Sequence, residues 1–479
     1  MILPMKKYCF YTFFVLLIFL MTNCKPSKDL TQRVKKSMPV AYPNTTDTTN
    51  MAIVSWKDYF EDKHLVQLID TALHKNWDVL SAYQQMEMAK ANVLFSKGTY
   101  RPYVRAGVDA AQRKYGLYTM DGAGNSSTYI RNDEIVPVHL RDYHPAIYAS
   151  WEADVWGKLH NKKRAALSRY LASNEGKKVI ITNLVAEVAT NYYELIALDY
   201  ELKILNETIA LQENAYELIQ IQKETAKANE LAVTQFEAQL LHSKSLRVDV
   251  TQQIIETENQ INFLLSRYSQ PIKRDTLLFT QSITTRISAG IPSDLLKNRP
   301  DIRQAEFELV ASQADVRAAK AAFYPSLTFD GSLGFQAYKL DLLFTTPASY
   351  VYGLVGSLAV PVLNRSAIKA SFATANAKQL EALYGYQKTI MNGYKEVYNQ
   401  ITSIKNLETM HDLTSKEASA LIKSIEASTE LFKTGRATYL EIVIAQQNAL
   451  QAKLQLVGVR KRQLNATVNL YRALGGGWK

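Results

Sequence analysis

The chain has 479 residues and a formal net charge of +11, with 56 Lys and Arg against 45 Asp and Glu. Only 19 glycines and 13 prolines punctuate it, which argues against many short elements and for long uninterrupted ones. There are two cysteines, one of them inside an apolar leader, so the exported chain has no pair for a disulfide and no basis for a cysteine metal site.

Lys6 and Lys7 precede the apolar run Cys9–Leu20 (CFYTFFVLLIFL), which is too short to span a bilayer comfortably and reads as the core of an export signal. Met21-Thr22-Asn23-Cys24 follows. It resembles a bacterial lipobox, whose cysteine carries the lipid and becomes the first mature residue. Asn23 departs from the usual small residue, and an ordinary secretory signal cut elsewhere is the alternative. The expectation is a lipoprotein signal peptide over 1–23, lipidation at Cys24, and a linker over 24–55 rich in Pro, Thr and Asn. Its basic start, Lys25–Lys36, suits either anionic headgroups or plain solvation. An export signal without a nucleic-acid-binding fold argues against nucleic acid as a partner.

Residues 56–98 read mainly as helix, with Leu65, Leu68, Ile69, Leu73, Trp77, Leu80 and Tyr83 at spacings of three and four. At Pro102 the period drops to two. Val104, Ala106, Val108 and Ala110 share one face; Arg105, Gly107, Asp109 and Ala111 share the other. The polar segment Asp121–Ser127 reads as a loop. A second strand returns through Ile147, Ala149, Trp151, Ala153 and Val155, with Ser150, Glu152 and Asp154 opposite. A proline-free helix follows over about 158–224, turns at 223–229 and returns to about Arg267. Residues 268–290, with Pro271 and a Thr-rich run, form a link.

The order then recurs. Arg299-Pro300-Asp301 stands where Asn76-Trp77-Asp78 stood, and Pro325 stands where Pro102 stood, at the same offset. Ser293 reads as a helix cap, and Pro300 fits a first helical position, where its missing N–H costs nothing. Ala311, Ala314, Ala318, Ala319, Ala321 and Ala322 would let a neighbouring helix come close. After Pro325, Leu327, Phe329, Leu333 and Phe335 alternate with Ser326, Thr328, Asp330, Ser332 and Gln336. The return strand is 350–360, and a second long helix runs over about 365–433, turns at 433–438 and returns to about Leu474. The expected domains are a first repeat over 56–267, with a β-hairpin at about 102–156, and a second over 291–479, with a hairpin at about 325–361. Amphipathic strands of this length suit an outer membrane. Four of them cannot close a barrel, so more than one copy is required. The apolar pattern of the helices leaves a hollow cylinder and a solid bundle both open.

IPSDLLKNRPDIRQAE and AAKAAFYPSLTFDGSLG resemble the signature of the outer-membrane efflux channels, the TolC-like outer-membrane factors, in their lipoprotein branch. The resemblance implies an α+β membrane protein in the outer membrane. Each chain would give a four-stranded share of a trimeric transmembrane β-barrel, continued into the periplasm by long antiparallel helices as a hollow cylinder. The implied function is the passive exit duct of a tripartite efflux system for small compounds. The implied partners are two further copies, a periplasmic adaptor, an inner-membrane transporter and outer-membrane lipid. A lipid-anchored periplasmic coiled-coil adaptor or scaffold is the alternative, but it leaves the two amphipathic hairpins unexplained.

Thr434–Glu441 (TGRATYLE) resembles the family's periplasmic tip. Gly435, Arg436 and Thr438 are candidate adaptor contacts there, with Lys227 and Asn229 at the other tip, where Ala226 replaces the family's usual glycine. By resemblance Glu441 is a candidate pore gate, and Ile444 falls where a second acidic residue is usual. Thr438 and Glu441 also stand at capping-box spacing, which by itself accounts for both. Tyr471–Trp478 resembles the family's usual ending. The seven histidines are scattered, and no HExxH, Walker A or GxSxG pattern occurs. No enzyme activity, cofactor or metal is expected.

Overall fold

The computed structural model describes residues 39, 41–42, 51–131, 133–275, 279, 289–363 and 365–479. The signal segment, Cys24, nearly all of the 24–55 linker and much of the 268–290 link lie outside them.

Three helices lead in: α1 (Trp56–Tyr59), α2 (Lys63–Lys75) and α3 (Trp77–Thr99). Side-chain caps set their starts. Asp62 accepts the His64 N–H at 2.8 Å, and Asn76 accepts those of Asp78 and Val79 at 2.9 and 3.2 Å, so N–H groups with no intrahelical partner are satisfied. Strand β1 (Tyr103–Arg113) begins just after Pro102. The stretch beyond it holds α4 (Met120–Ser127) and a short ribbon of β2 (Tyr129–Arg131) and β3 (Glu134–Ile135). The expected loop at Asp121–Ser127 is therefore helical. Apolar periodicity gives no warning of this, because local bonds stabilise the turn. Thr119 Oγ1 accepts from Gly122 N–H at 3.2 Å, and the hydroxyls of Ser126 and Thr128 donate to the carbonyls of Ala123 and Gly124.

β4 (Leu140–Ala153) leads into the 67-residue α5 (Lys158–Glu224), which is followed by α6 (Glu230–Leu264). The second half opens on a 3₁₀ turn, Pro292–Asp294, with α7 (Leu295–Asn298) and α8 (Pro300–Ala321). Ser293 lies inside that turn and does not cap it; Asp294 instead reaches back to the Ile291 N–H at 3.5 Å. Pro300 does start α8. Then come β5 (Ser326–Phe335), β6 (Tyr350–Ala359), the 68-residue α9 (Ser366–Lys433) and α10 (Tyr439–Ala473). At 1.5 Å per residue, α5 and α9 each extend ~100 Å.

The long helices pack side by side: α5 against α6 and α8, α9 against α10 and α8. Ala311, Ala314, Ala318 and Ala321 of α8 are buried there, as close helix approach requires. The largest apolar cluster lies where α1 and α2 meet the middle of α5 and the ends of α6 and α10. It holds Leu65, Ile69, Tyr192, Leu195, Ile261, Leu265 and Tyr471. Tyr59 stacks on Tyr471 at 4.1 Å, the Tyr471 hydroxyl donates to the Val54 carbonyl at 2.7 Å, and Tyr192 donates to Asp62. Each fully buried aliphatic side chain contributes ~1.5–3 kcal/mol, which anchors the mid-length of the helices.

Candidate functional site

The four long strands form one antiparallel sheet in the order β1-β4-β5-β6. Its register keeps the two faces chemically distinct. Val104 lies opposite Ala149, Ala106 opposite Ile147, Trp151 opposite Phe329, Leu333 opposite Tyr352 and Leu327 opposite Leu358. This apolar face is open: Val108 is 74 % exposed, Tyr352 75 % and Leu354 80 %. A water-facing sheet would leave that area costly, whereas hydrocarbon would cover it. The opposite face holds a polar network. Tyr148 donates to Asp109 at 2.6 Å beneath the Arg105 guanidinium, Ser150 to Asp330 at 2.7 Å, Gln336 to Asp142 at 2.8 Å, and Lys158 to Glu152 at 2.7 Å. Asp154 has a further task that its place in the alternation did not reveal. Its carboxylate accepts the N–H groups of Leu159 and His160 at 2.8 and 2.7 Å, and so caps α5.

β1 and β6 are the outer strands of this sheet, each paired on one side only. With 10 to 14 residues, the four strands match the ~9–11 residues that cross a bilayer when tilted.

Pro102 and Pro325 each stand just before a strand and just after a helix. Aromatics pin both junctions. Trp151 Nε1 donates to the Tyr100 carbonyl at 3.3 Å, and Trp156 Nε1 to the Pro325 carbonyl at 2.7 Å. Trp156 also stacks on Tyr324 at 4.9 Å.

At the far end of the helices the two turns share one geometry. Ala226 N–H bonds to Lys223 O at 3.0 Å and Lys227 N–H to Gln222 O at 2.8 Å; Gly435 and Arg436 bond in the same way to Phe432 and Leu431. Both are Schellman endings, with Ala226 at φ 53° and Gly435 at φ 72°. Asn229 caps α6 through the Ala232 N–H at 2.9 Å. At the start of α10, Thr438 N–H donates to the Glu441 carboxylate at 2.9 Å, and so does the Thr438 hydroxyl. The hydroxyl and the backbone bonds hold the Glu441 carboxyl below the ordinary glutamate range. Ile219, Val233, Phe236, Ile442 and Val443 form one cluster, which ties the two tips into a single end. Gly435, Arg436, Thr438 and Glu441 are exposed there, and so are Lys227 and Asn229 on the other turn.

Sequence reasoning missed the clamp at Arg299. Its side chain is 8 % exposed and bonds to Asp301 at 2.6 and 3.0 Å, to Glu396 of α9 at 2.8 Å and to the Ala473 carbonyl ending α10 at 2.8 Å. Burial disfavours its charge, but the two carboxylates more than offset this and raise its pKa. The C-terminal turn closes over the same place: Trp478 Nε1 donates to Asn298 O at 3.3 Å, and a Cβ on Gly475 would sit 2.5 Å from that oxygen. The available signal was a charged residue in a cap position ahead of Pro300.

The family model for outer membrane efflux proteins matches residues 68–267 and 291–476, most of the chain. The chain belongs to the outer membrane efflux protein family. It is 25 % identical over 434 residues to the "Cation efflux system protein CusC" of an Escherichia coli O6:H1 strain, covering 90 % of each chain. It is 25 % identical over 470 residues to the "Probable outer membrane lipoprotein SilC" of Salmonella typhimurium, covering 96 % of this chain and 97 % of that one. Its fold matches the open state of the Neisseria gonorrhoeae MtrE outer membrane channel with a TM-score of 0.81 at 22 % identity, over 93 % of this chain and 97 % of that one. The family transports and is not an enzyme family, and the outer membrane is where this efflux protein acts.

Proposed function

We propose that three copies of this chain close a twelve-stranded barrel and form the passive exit duct of a tripartite efflux system. The observation that carries this is the four-stranded sheet with an exposed apolar face and singly paired outer strands, mounted on helices of 67 and 68 residues. In lipid an unpaired strand edge leaves N–H and C=O groups without partners, at several kcal/mol each. Pairing β1 of one copy with β6 of the next removes every edge. The polar face then lines a wet channel, and the helices continue it as a hollow periplasmic cylinder. The matching order of elements in 56–267 and 291–479 supports two structural repeats, each giving one hairpin and one helical hairpin to this wall.

In this reading the signal over 1–23 delivers the chain and Cys24 carries lipid in the outer membrane. The paired tips dock a periplasmic adaptor through Gly435, Arg436 and Thr438 on one turn and Lys227 and Asn229 on the other. An inner-membrane transporter supplies the energy, and small compounds are the cargo. Glu441 both caps α10 and, in three copies about the axis, forms a ring that repels itself and attracts cations. The test is the mass of the purified full-length chain in detergent. Three chains per particle is the expected result; a monodisperse monomer contradicts it.

A further inference from the structure

The geometry points to a binding site for one anionic phospholipid of the periplasmic leaflet, set on the outer face of the first helix-to-strand junction. A groove of about 560 Å³ lies there, lined by Lys97, Tyr100, Arg101, Pro102, Trp151 and Lys163. Three cations from three places converge on it: Lys97 at the end of α3, Arg101 just before β1, and Lys163 in the first turns of α5. None of the three has an ion-pair partner among the described residues. Three uncompensated positive charges around one groove repel one another, and an anion relieves that repulsion. The groove wall is Trp151, on the apolar strand face, stacked at 5.9 Å on Phe329. A ligand seated here meets positive charge at its head and continuous apolar surface at its tail. That is the chemistry of a phosphodiester headgroup with acyl chains, since basic pockets at membrane boundaries take anionic headgroups and Trp favours the interface.

The second junction is an internal contrast. Lys320 stands there as Lys97 does here, but Tyr324 replaces Arg101 before the proline, and Trp156 covers Tyr324 by stacking at 4.9 Å. The space that is open and basic at Pro102 is filled and aromatic at Pro325. The inference rests on the membrane placement of the strand sheet, so its test must fail separately from that placement.

The experiment is native mass spectrometry of the full-length protein in detergent, titrated with phosphatidylglycerol, phosphatidylcholine or inorganic phosphate. The triple variant Lys97→Gln/Arg101→Gln/Lys163→Gln is compared with Lys320→Gln, and conductance in planar bilayers is recorded for each. The expected result is retention of phosphatidylglycerol at one per chain, at least tenfold above phosphatidylcholine. The triple variant loses this preference, Lys320→Gln keeps it, free phosphate does not compete at matched concentration, and every variant conducts. Equal retention of the two lipids, unchanged selectivity in the triple variant, or displacement by free phosphate overturns the site while leaving a conducting channel intact. Because all three substituted side chains lie on the surface or at its margin, conductance also reports that the variants have folded.

Discussion

The two halves of the chain meet the same structural demands with different residues, and the differences mark where each half is held. The helix before the first strand is capped by Asn76, a neutral side chain that also donates to the Leu264 carbonyl at 2.9 Å. The helix before the second strand begins at Arg299, which ties three helices together through two carboxylates and a carbonyl. The first tip turns at Ala226 and the second at Gly435, in the same left-handed conformation. The first junction is open and basic; the second is filled by stacked aromatics. Both halves reach the C-terminal helix, but by different means: the second through the Arg299 guanidinium on the Ala473 carbonyl, the first through the Tyr59–Tyr471 stack and the Tyr471 bond to the Val54 carbonyl.

The largest expected effect tests that clamp. Arg299→Met leaves Asp301 and Glu396 without their buried partner and should cost ~3–5 kcal/mol, read as a lower midpoint of thermal or denaturant unfolding. Asn76→Ala removes a cap and leaves the Leu264 carbonyl short of a donor, so its cost should be smaller, ~1–2 kcal/mol. Equal losses at the two positions would erase the asymmetry between the halves.

The tips give the next contrast. A left-handed residue with a Cβ carries a penalty of ~1–2 kcal/mol relative to glycine. Ala226→Gly should therefore stabilise the first tip and Gly435→Ala should destabilise the second, each by about 1 kcal/mol, measured by hydrogen exchange of the turn amides. An Ala226→Gly variant no more protected than the parent would mean that the first turn is not strained.

Much of this was legible in the sequence, and for identifiable reasons. Both long helices follow from periodicity and the absence of proline within them, and both strand pairs from alternation after Pro102 and Pro325, although β4 also carries Pro145 in its interior. The Thr438–Glu441 box is a local signal and appears as read. α4 was missed because hydroxyl-to-backbone bonds, which leave no apolar period, hold it. Asp154 was placed on a strand face by alternation, but the chain turns at Gly157, φ 72°, and brings that carboxylate onto the start of α5. Arg299 was legible as a repeat position and not as a clamp, since Glu396 and the end of α10 are remote in sequence.

Glu441 carries the smallest effect on stability. Its depressed folded pKa means that its cap is fully present above the unfolded value, ~4.3, and is lost as pH falls through the lower folded value. Local protection of the α10 start should fall on acidification below that range, and Glu441→Gln should remove the pH dependence. If Glu441 also faces the channel, the same variant lowers cation selectivity; an unchanged selectivity leaves the carboxylate as a cap alone.

Single-channel recording of the purified full-length protein in a planar bilayer asks whether three strand sheets close around a water-filled path. Discrete conductance steps from the three-chain species are the expected result. An absence of conductance, together with a monomer in detergent, would contradict that closure.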